Sequence, residues 1–324
     1  MQYQRKVQIL ISLIVILSLT LLGTFIFNPE ARLMRQATGV LVDSNKLKTI
    51  TKIEIQQPQM PPLSFLKRTG QWYAVRDGKE YPVKNDRIED FLKPYGKPHL
   101  LPQQASSVQA HERLGLGPNA ASRVTLWSDG TEKPVMDIWF GSMDATGKEI
   151  YFRFADSDTV KSVEDNFSSY IQSSPQSWYD LRLFPQTGNQ GIKPELVQRI
   201  SWSDESKGSF SLSRSGPSSW NGSGGKLEGK ELDSKKIDSF LQDLVSASGD
   251  DFTDPVSDDT VQRRKATITA ELGDGRTKRL IILSDPEHQS HWATVSDTPY
   301  TYRLSQWLYN KLVKESDYFI KTDK

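Results

Sequence analysis

The chain has no cysteine among its 324 residues, which rules out a disulfide framework and suits a bacterial periplasmic protein that avoids stray disulfides. It has only four histidines, His99, His111, His288 and His291, so there is little material for a histidine-rich metal centre. Neither sign of charge is in excess. Lysine and arginine number 41 against 40 acidic residues, and setting aside Arg5 and Lys6 leaves 39 against 40. Binding to phosphate backbones needs a basic surplus on one face, so nucleic acid is excluded as an expected partner. Hydrophobic residues make up 36% and charged residues 25%, which fits folded globular domains rather than disorder throughout. The length suggests about two domains.

Long apolar runs are also scarce, with one exception. Val7 to Phe27 reads VQILISLIVILSLTLLGTFIF, 21 residues without a charge. At about 1.5 Å rise per residue this would span roughly 30 Å of hydrocarbon. The run is longer than the core of a removable signal peptide and ends in Phe25, Ile26 and Phe27 without an Ala-x-Ala site, so an uncleaved transmembrane anchor is expected. Arg5 and Lys6 precede it and keep that end cytoplasmic under the positive-inside rule. The expected location is therefore the inner (cell) membrane, single-pass, with everything after Asn28 in the periplasm.

Beyond the run, the chain repeats itself. Ile53-Glu54-Ile55, Leu63 to Arg68, a turn at Thr69-Gly70 and Gln71 to Val75 are matched by Ile200-Ser201-Trp202, Phe210 to Arg214, a turn at Ser215-Gly216-Pro217 and Trp220. The alternation reads as short antiparallel strands. A helix follows in each copy: Asn85 or Asp86 caps Ile88, Phe91 and Leu92, and Asp233 or Ser234 caps Ile237, Phe240, Leu241 and Leu244. Hairpins turning at Asp129-Gly130 and Asp274-Gly275 come next, then strands at Glu149 to Phe154 and His291 to Val295. Helices at Val160 to Ile171 and Leu304 to Val313 close the copies. The predicted class is α+β: an N-terminal transmembrane helix, then two tandem repeats of an antiparallel sheet with helices on one face. The domain plan is 1–27 cytoplasmic tip and anchor, 28–49 tether, 50–184 first repeat, 185–194 linker and 195–324 second repeat.

The run Arg113-Leu114-Gly115-Leu116-Gly117-Pro118, the strand at Val124 to Leu126, Gly141 after a strand and Tyr151 in the next resemble the bacterial domain of unknown function 4340. Trp178 to Phe184 resembles the arginine-containing segment between that family's halves, so the resemblance covers roughly 50–315. The second copy departs from the pattern, lacking a Leu-Gly-Leu equivalent before Arg264. The family brings no catalytic residues. Its members are often anchored by one N-terminal helix and stand beside ABC-type transporter components of the gliding-motility kind, which implies an accessory subunit of an envelope transport assembly.

The residues themselves offer little chemistry. His288 and His291 are expected to be solvated loop histidines, because no third ligand is spaced with them. Gly222 to Lys226 lacks the Walker spacing and reads as a turn. The acidic run Gly249 to Asp254, with Asp258 and Asp259, lacks the calcium-loop pattern. Glu89 and Asp90 read as a solvated helix face. Trp72, Trp127, Trp139, Trp202, Trp220 and Trp292 fall in predicted strands and are expected in the core. The expectation is a non-enzymatic interaction protein with no catalytic, cofactor or metal residues, using sheet edges to hold envelope proteins. The alternative is a module that takes a small molecule, lipid or glycan in the groove between the copies.

Overall fold

The structure is a computed structural model that describes residues 13–18, 20, 38–185, 191–205, 208–256, 264–285 and 287–322. The chain divides into two compact units, Met1–Glu80 with Asn85–Ser174, and Tyr81–Lys84 with Pro175–Lys324.

The first unit opens with β1 (Thr38–Gly39), α1 (Ser44–Leu47), β2 (Ile50–Gln56), β3 (Leu63–Arg68), β4 (Gln71–Arg76), β5 (Lys79–Pro82), whose Tyr81 and Pro82 are assigned to the second unit, and α2 (Asn85–Leu92). It continues through β6 (His99–Leu100), β7 (Gln103–Ala105), α3 (Gln109–Arg113), β8 (Ser122–Ser128) and β9 (Met136–Met143). Last come β10 (Glu149–Phe154), β11 (Val160–Glu164) and α4 (Ser168–Ile171). Nine strands form one sheet in the order β5-β4-β3-β2-β8-β9-β10-β11-β7, and β1 pairs with β6 in a small ribbon. The β2–β3, β2–β8, β8–β9 and β9–β10 pairings are all antiparallel.

The second unit holds β12 (Val197–Asp204), β13 (Gly208–Gly216), β14 (Ser219–Ser223), α5 (Ser234–Val245) and β15 (Asp251–Thr253). After these come β16 (Arg264–Leu272), β17 (Thr277–Asp285), β18 (Ser290–Val295), β19 (Thr301–Leu304) and α6 (Gln306–Leu312). Its sheet runs β14-β13-β12-β16-β17-β18-β19-β15. Strand for strand this is the order of the first sheet without β5: β4 stands where β14 stands, β2 where β12 stands, and β7 where β15 stands.

Alternation along the strands buries one face of each sheet. In the first unit Phe65, Ile53, Leu126 and Met136 are register neighbours across four strands and all are buried. In the second, Phe210, Trp202, Ile268, Leu280 and Val295 form the corresponding row across five. Helix α2 adds Ile88 and Phe91 to the first core. Helix α5, capped by the Asp233 carboxylate accepting from the Lys235 and Lys236 amides, adds Ile237, Phe240, Leu241 and Leu244 to the second. Phe240 lies 5.1 Å from the Trp202 ring and 5.7 Å from that of Phe319.

The α+β class with a leading transmembrane helix does not stand. No helix among the described residues is long and apolar enough to cross a membrane. Of Val7 to Phe27, only residues 13–18 and 20 are described, and these are helical; the rest of that run lies outside the described residues. Among the described residues strand dominates, in three sheets, and beyond residue 38 the longest helix described has twelve residues. The predicted helix over Val160 to Ile171 is instead β11 followed by the single turn α4. Ser162 explains the misreading, because it occupies a core position with its hydroxyl donating to Glu149 at 2.5 Å. A buried polar residue thus hides the period-two pattern and leaves Val160, Val163 and Phe167 at helix-like spacing. Asp165 then starts the α4 turn by accepting from the Phe167 and Ser168 amides.

The turn between β9 and β10 is held by Asp144. Its carboxylate accepts from the Lys148 and Glu149 amides and from the Thr146 hydroxyl. These bonds, that from Glu149 foremost, lower its pKa from 3.8 to about 2. A carboxyl depressed on folding contributes stability above its unfolded value and loses it as pH falls through the folded one. The stability difference between the native chain and Asp144→Asn is therefore expected to be constant above pH 3.8 and to shrink towards pH 2, as read by thermal unfolding across that range. For the core, Phe240→Ala is expected to cost about 3–5 kcal/mol in urea unfolding, and a loss below about 1 kcal/mol would contradict the packing described.

Candidate functional site

Residues facing away from the two cores differ sharply between the units. On the first sheet Arg123, Trp139 and Arg153 are register neighbours on β8, β9 and β10. Each arginine lies over the Trp139 ring, its guanidinium carbon 5.2 Å from the centroid. Arg123 also grips Asp137 with two bonds, Nε to Oδ1 at 2.8 Å and a terminal nitrogen to Oδ2 at 2.5 Å. That pairing raises the Arg123 pKa further, chiefly through the hydrogen bond to Asp137. Lys52 is bound to Glu54 at 2.8 Å and sits 5.7 Å over Trp127. The face is thus a ladder of cations stacked on indoles, with Arg123 and Lys52 each paired to a carboxylate.

A cleft of about 610 Å³ opens over this face. Glu54, Thr125, Arg123 and Trp139 form part of its wall, and Pro58, Pro62, Pro118 and Asn119 stand at its rim. One rim is the β2–β3 loop, pinned by Gln56 donating to the Gln57 and Met60 carbonyls and by Gln57 donating to the Ile171 and Ser173 carbonyls. The other is the Arg113 to Pro118 turn. Its Leu114 carbonyl accepts from the Ser142 amide at 2.9 Å, so the turn lies directly on the end of β9. Gly115 takes φ +72°, and a Cβ on Gly141 would stand 2.3 Å from the Leu114 carbonyl oxygen. The glycines that carried the family resemblance therefore seat Pro118 and Asn119 beside the cleft; their role is architectural.

The second sheet's open face carries small hydroxyls instead. Ser223, Ser211, Ser201 and Thr269 form one cross-strand row and Ser209, Ser203 and Thr267 the next. A shallow depression of about 390 Å³ lies over them, with Arg199 at one side.

The histidines are scattered. His99 bonds the Pro94 carbonyl, and buried His111 bonds that of Asp158. His288 is exposed in the β17–β18 turn, where the bond to Asp285 raises its pKa. His291 is not a solvated loop residue as expected: it is buried in β18, stacked on Tyr309 at 4.1 Å between centroids. Its ring nitrogens bond Ser284 Oγ at 2.9 Å and Gln306 Oε1 at 2.8 Å. This resembles a nucleophile with its base, but both groups are buried and the third member is a neutral amide, which cannot balance an imidazolium. Among the described residues no group of three His, Asp or Glu side chains could hold a metal ion.

The remaining candidates lie in a turn, at a strand end and on a helix face. Gly224 and Gly225 both take positive φ in the turn after β14, and Lys226 binds Asp317 at 2.7 Å. Within the acidic run, Asp251 opens strand β15 and accepts from Gln176; Asp258 and Asp259 lie outside the described residues. Glu89 and Asp90 are exposed on α2. Of the six strand tryptophans, Trp72, Trp202 and Trp220 are core, whereas Trp127, Trp139 and Trp292 stand half-exposed. Strand parity carried that signal, since buried Val124 and Leu126 put Arg123 and Trp127 on the opposite face.

Residues 72–266, more than half of the chain, match the family described as Domain of unknown function (DUF4340). A protein of Treponema pallidum (strain Nichols), named "Uncharacterized protein", is 22% identical over 128 residues. The match covers 40% of this chain and 40% of that relative, so the chain spans well under half of the relative's length. No solved structure matches.

Gly141→Ala is expected to cost about 1–3 kcal/mol in chemical unfolding, because the backbone carbonyl it meets has no room to give. Gly216→Ala, whose Cβ would meet ordinary contacts at 3.6 Å, is expected to be near neutral. Equal effects at the two sites would contradict the seating of the turn.

Proposed function

This chain belongs to the DUF4340 family, and from that premise we propose that it is a non-catalytic binding protein of the bacterial envelope, an accessory that holds protein partners of an ABC-type transport assembly. The cleft over the first sheet is what supports a binding role. It is in the size range of ligand-binding clefts, and its charged wall residues are already engaged by neighbours, Arg123 by Asp137 and Glu54 by Lys52. Arg123 serves Asp137 and Trp139 at once, leaving that pair shaped for contact rather than for proton transfer. The rim of prolines and amides offers rigid apolar edges and hydrogen-bonding groups, the mixture that suits a polypeptide surface. The transport assembly and the envelope setting come from what the family resemblance implies, together with the cysteine-free composition.

A polar small molecule in the same cleft is the second reading, favoured by the cleft's volume alone. A stacked sugar is a poorer occupant, because two guanidiniums already lie over the Trp139 ring.

A photo-crosslinking residue at Asn119 in the full-length chain, expressed in its own cells, is expected to capture a component of a transport complex. The same residue at Glu89, exposed on α2, serves as the control. Recovery of the chain alone from both positions, or identical capture from each, would overturn the docking reading.

A further inference from the structure

The two sheets share one strand order except at a single place. In the first unit β4 is covered on its outer side by β5, which returns through the Asp77-Gly78 turn with both residues at positive φ. In the second unit β14 occupies β4's position, and among the described residues no strand lies outside it. The chain makes the same kind of turn there, since Gly224 and Gly225 also take positive φ. It then leaves the edge. A Cβ on Gly224 would stand 2.8 Å from the Ser209 carbonyl oxygen, so this residue already lies against β13. The Lys226 amide bonds Ser316 Oγ, its ammonium bonds Asp317, and Leu227 is buried against Gly222. Residues 219–223 make no backbone hydrogen bond beyond those to β13 among the described residues, and Ser219, Asn221 and Ser223 are exposed.

An antiparallel edge strand directs alternate N–H and C=O groups outward, where an incoming strand can satisfy them. Sheets ordinarily guard such edges with lysine, proline or a bulge. The sequence Ser219-Trp220-Asn221-Gly222-Ser223 carries neither lysine nor proline, and its register irregularity falls at the turn end, between Arg214 and Gly216. The hairpin is also rigid. Arg214 stacks 4.5 Å over Trp220 while its guanidinium bonds the Val197, Pro217 and Pro194 carbonyls. The indole N–H of Trp220 is buried without a partner.

We propose that β14 is a docking edge that receives an extended segment of a partner protein as the ninth strand of the second sheet, in the position β5 holds in the first. The segment is short and backbone-recognised. It places an apolar residue on the Trp220 side and small polar residues beside Asn221 and Ser223. This rests on the protein-docking reading above and names a second contact, separate from the cleft.

The chain's own β5 supplies the probe. A labelled peptide copying residues 77–84, with a photo-reactive centre, is titrated onto the full-length chain by fluorescence anisotropy, and its crosslinks are mapped by mass spectrometry. Crosslinks on residues 208–223 are expected, with loss of binding when alternate peptide nitrogens of one parity are methylated and retention with the other parity. Proline is placed in turn at Asn221 and Gly222, neighbours of opposite parity; at the one whose N–H faces outward it is expected to weaken binding by about tenfold or more with the melting temperature retained, while Asn221→Ala leaves binding unchanged. No binding, or binding indifferent to methylation parity, would overturn the proposal. So would a self-association abolished by that proline without peptide binding, which assigns the edge to a second copy. Capture of a transport component at Asn119 alongside a silent edge would remove this inference alone.

Discussion

Each sheet has to take one face out of water, and that requirement governs everything else in the molecule. A strand's side chains alternate, so burying Ile53 and Ile55 fixes Lys52, Glu54 and Gln56 on the other face with no further choice. The same alternation buries Ile200 and Trp202 and turns Arg199, Ser201 and Ser203 outward. At roughly 25 cal/mol per Å² of apolar area, the rows through Phe65 and Phe210 outweigh any single polar contact on the open faces. The helices are accessories to this burial. Helix α2 contributes two core side chains and α5 four, enough to close a face that the sheet already defines.

The open faces differ between the units. One has large, charged and aromatic side chains that satisfy one another, and the other has a lattice of serine and threonine. The difference has an electrostatic logic. Arg123 and Arg153 both lie over the Trp139 ring, and Asp137 neutralises Arg123, which lowers the field on that face. That local balance agrees with the near-equal totals of acidic and basic residues in the whole chain.

Much of this was legible in the sequence, and the reasons for the failures are specific. Strands with clean alternation and an Asp-Gly turn, such as β8 with β9 and β16 with β17, could be read directly, as could a helix whose capping carboxylate precedes Ile237. Strand β11 could not, because Ser162 sits where an apolar residue was needed to mark the period. His291 looked like a loop residue because it lies one position past Ser290 after a polar turn; its burial depends on Tyr309, which only the fold brings near. The cleft was invisible for a different reason. Its rims come from the β2–β3 loop and the Arg113 to Pro118 turn, more than fifty residues apart, and only pairing of β2 with β8 brings them to one place.

A repeated fold gives an internal standard that a lone domain lacks. Where the units agree, the shared feature answers to the demands of the fold, as with the core rows and the tryptophans at Trp72 and Trp220. Where they differ, the fold has shown that it tolerates both solutions, so the cause has to be sought in something other than folding. The core rows fall in the first class, whereas Gly141 answers to its own unit alone, since a side chain there would strike backbone. The open faces and the outer side of β14 fall in the second. The first sheet carries a strand at that edge and the second does not, while the remaining eight strands keep the same order. An unguarded edge is a standing aggregation risk, and a chain that could have covered it with a strand in the manner of β5 instead turns away through Gly224 and Lys226. On the docking proposal, the strand that covers this edge comes from another molecule.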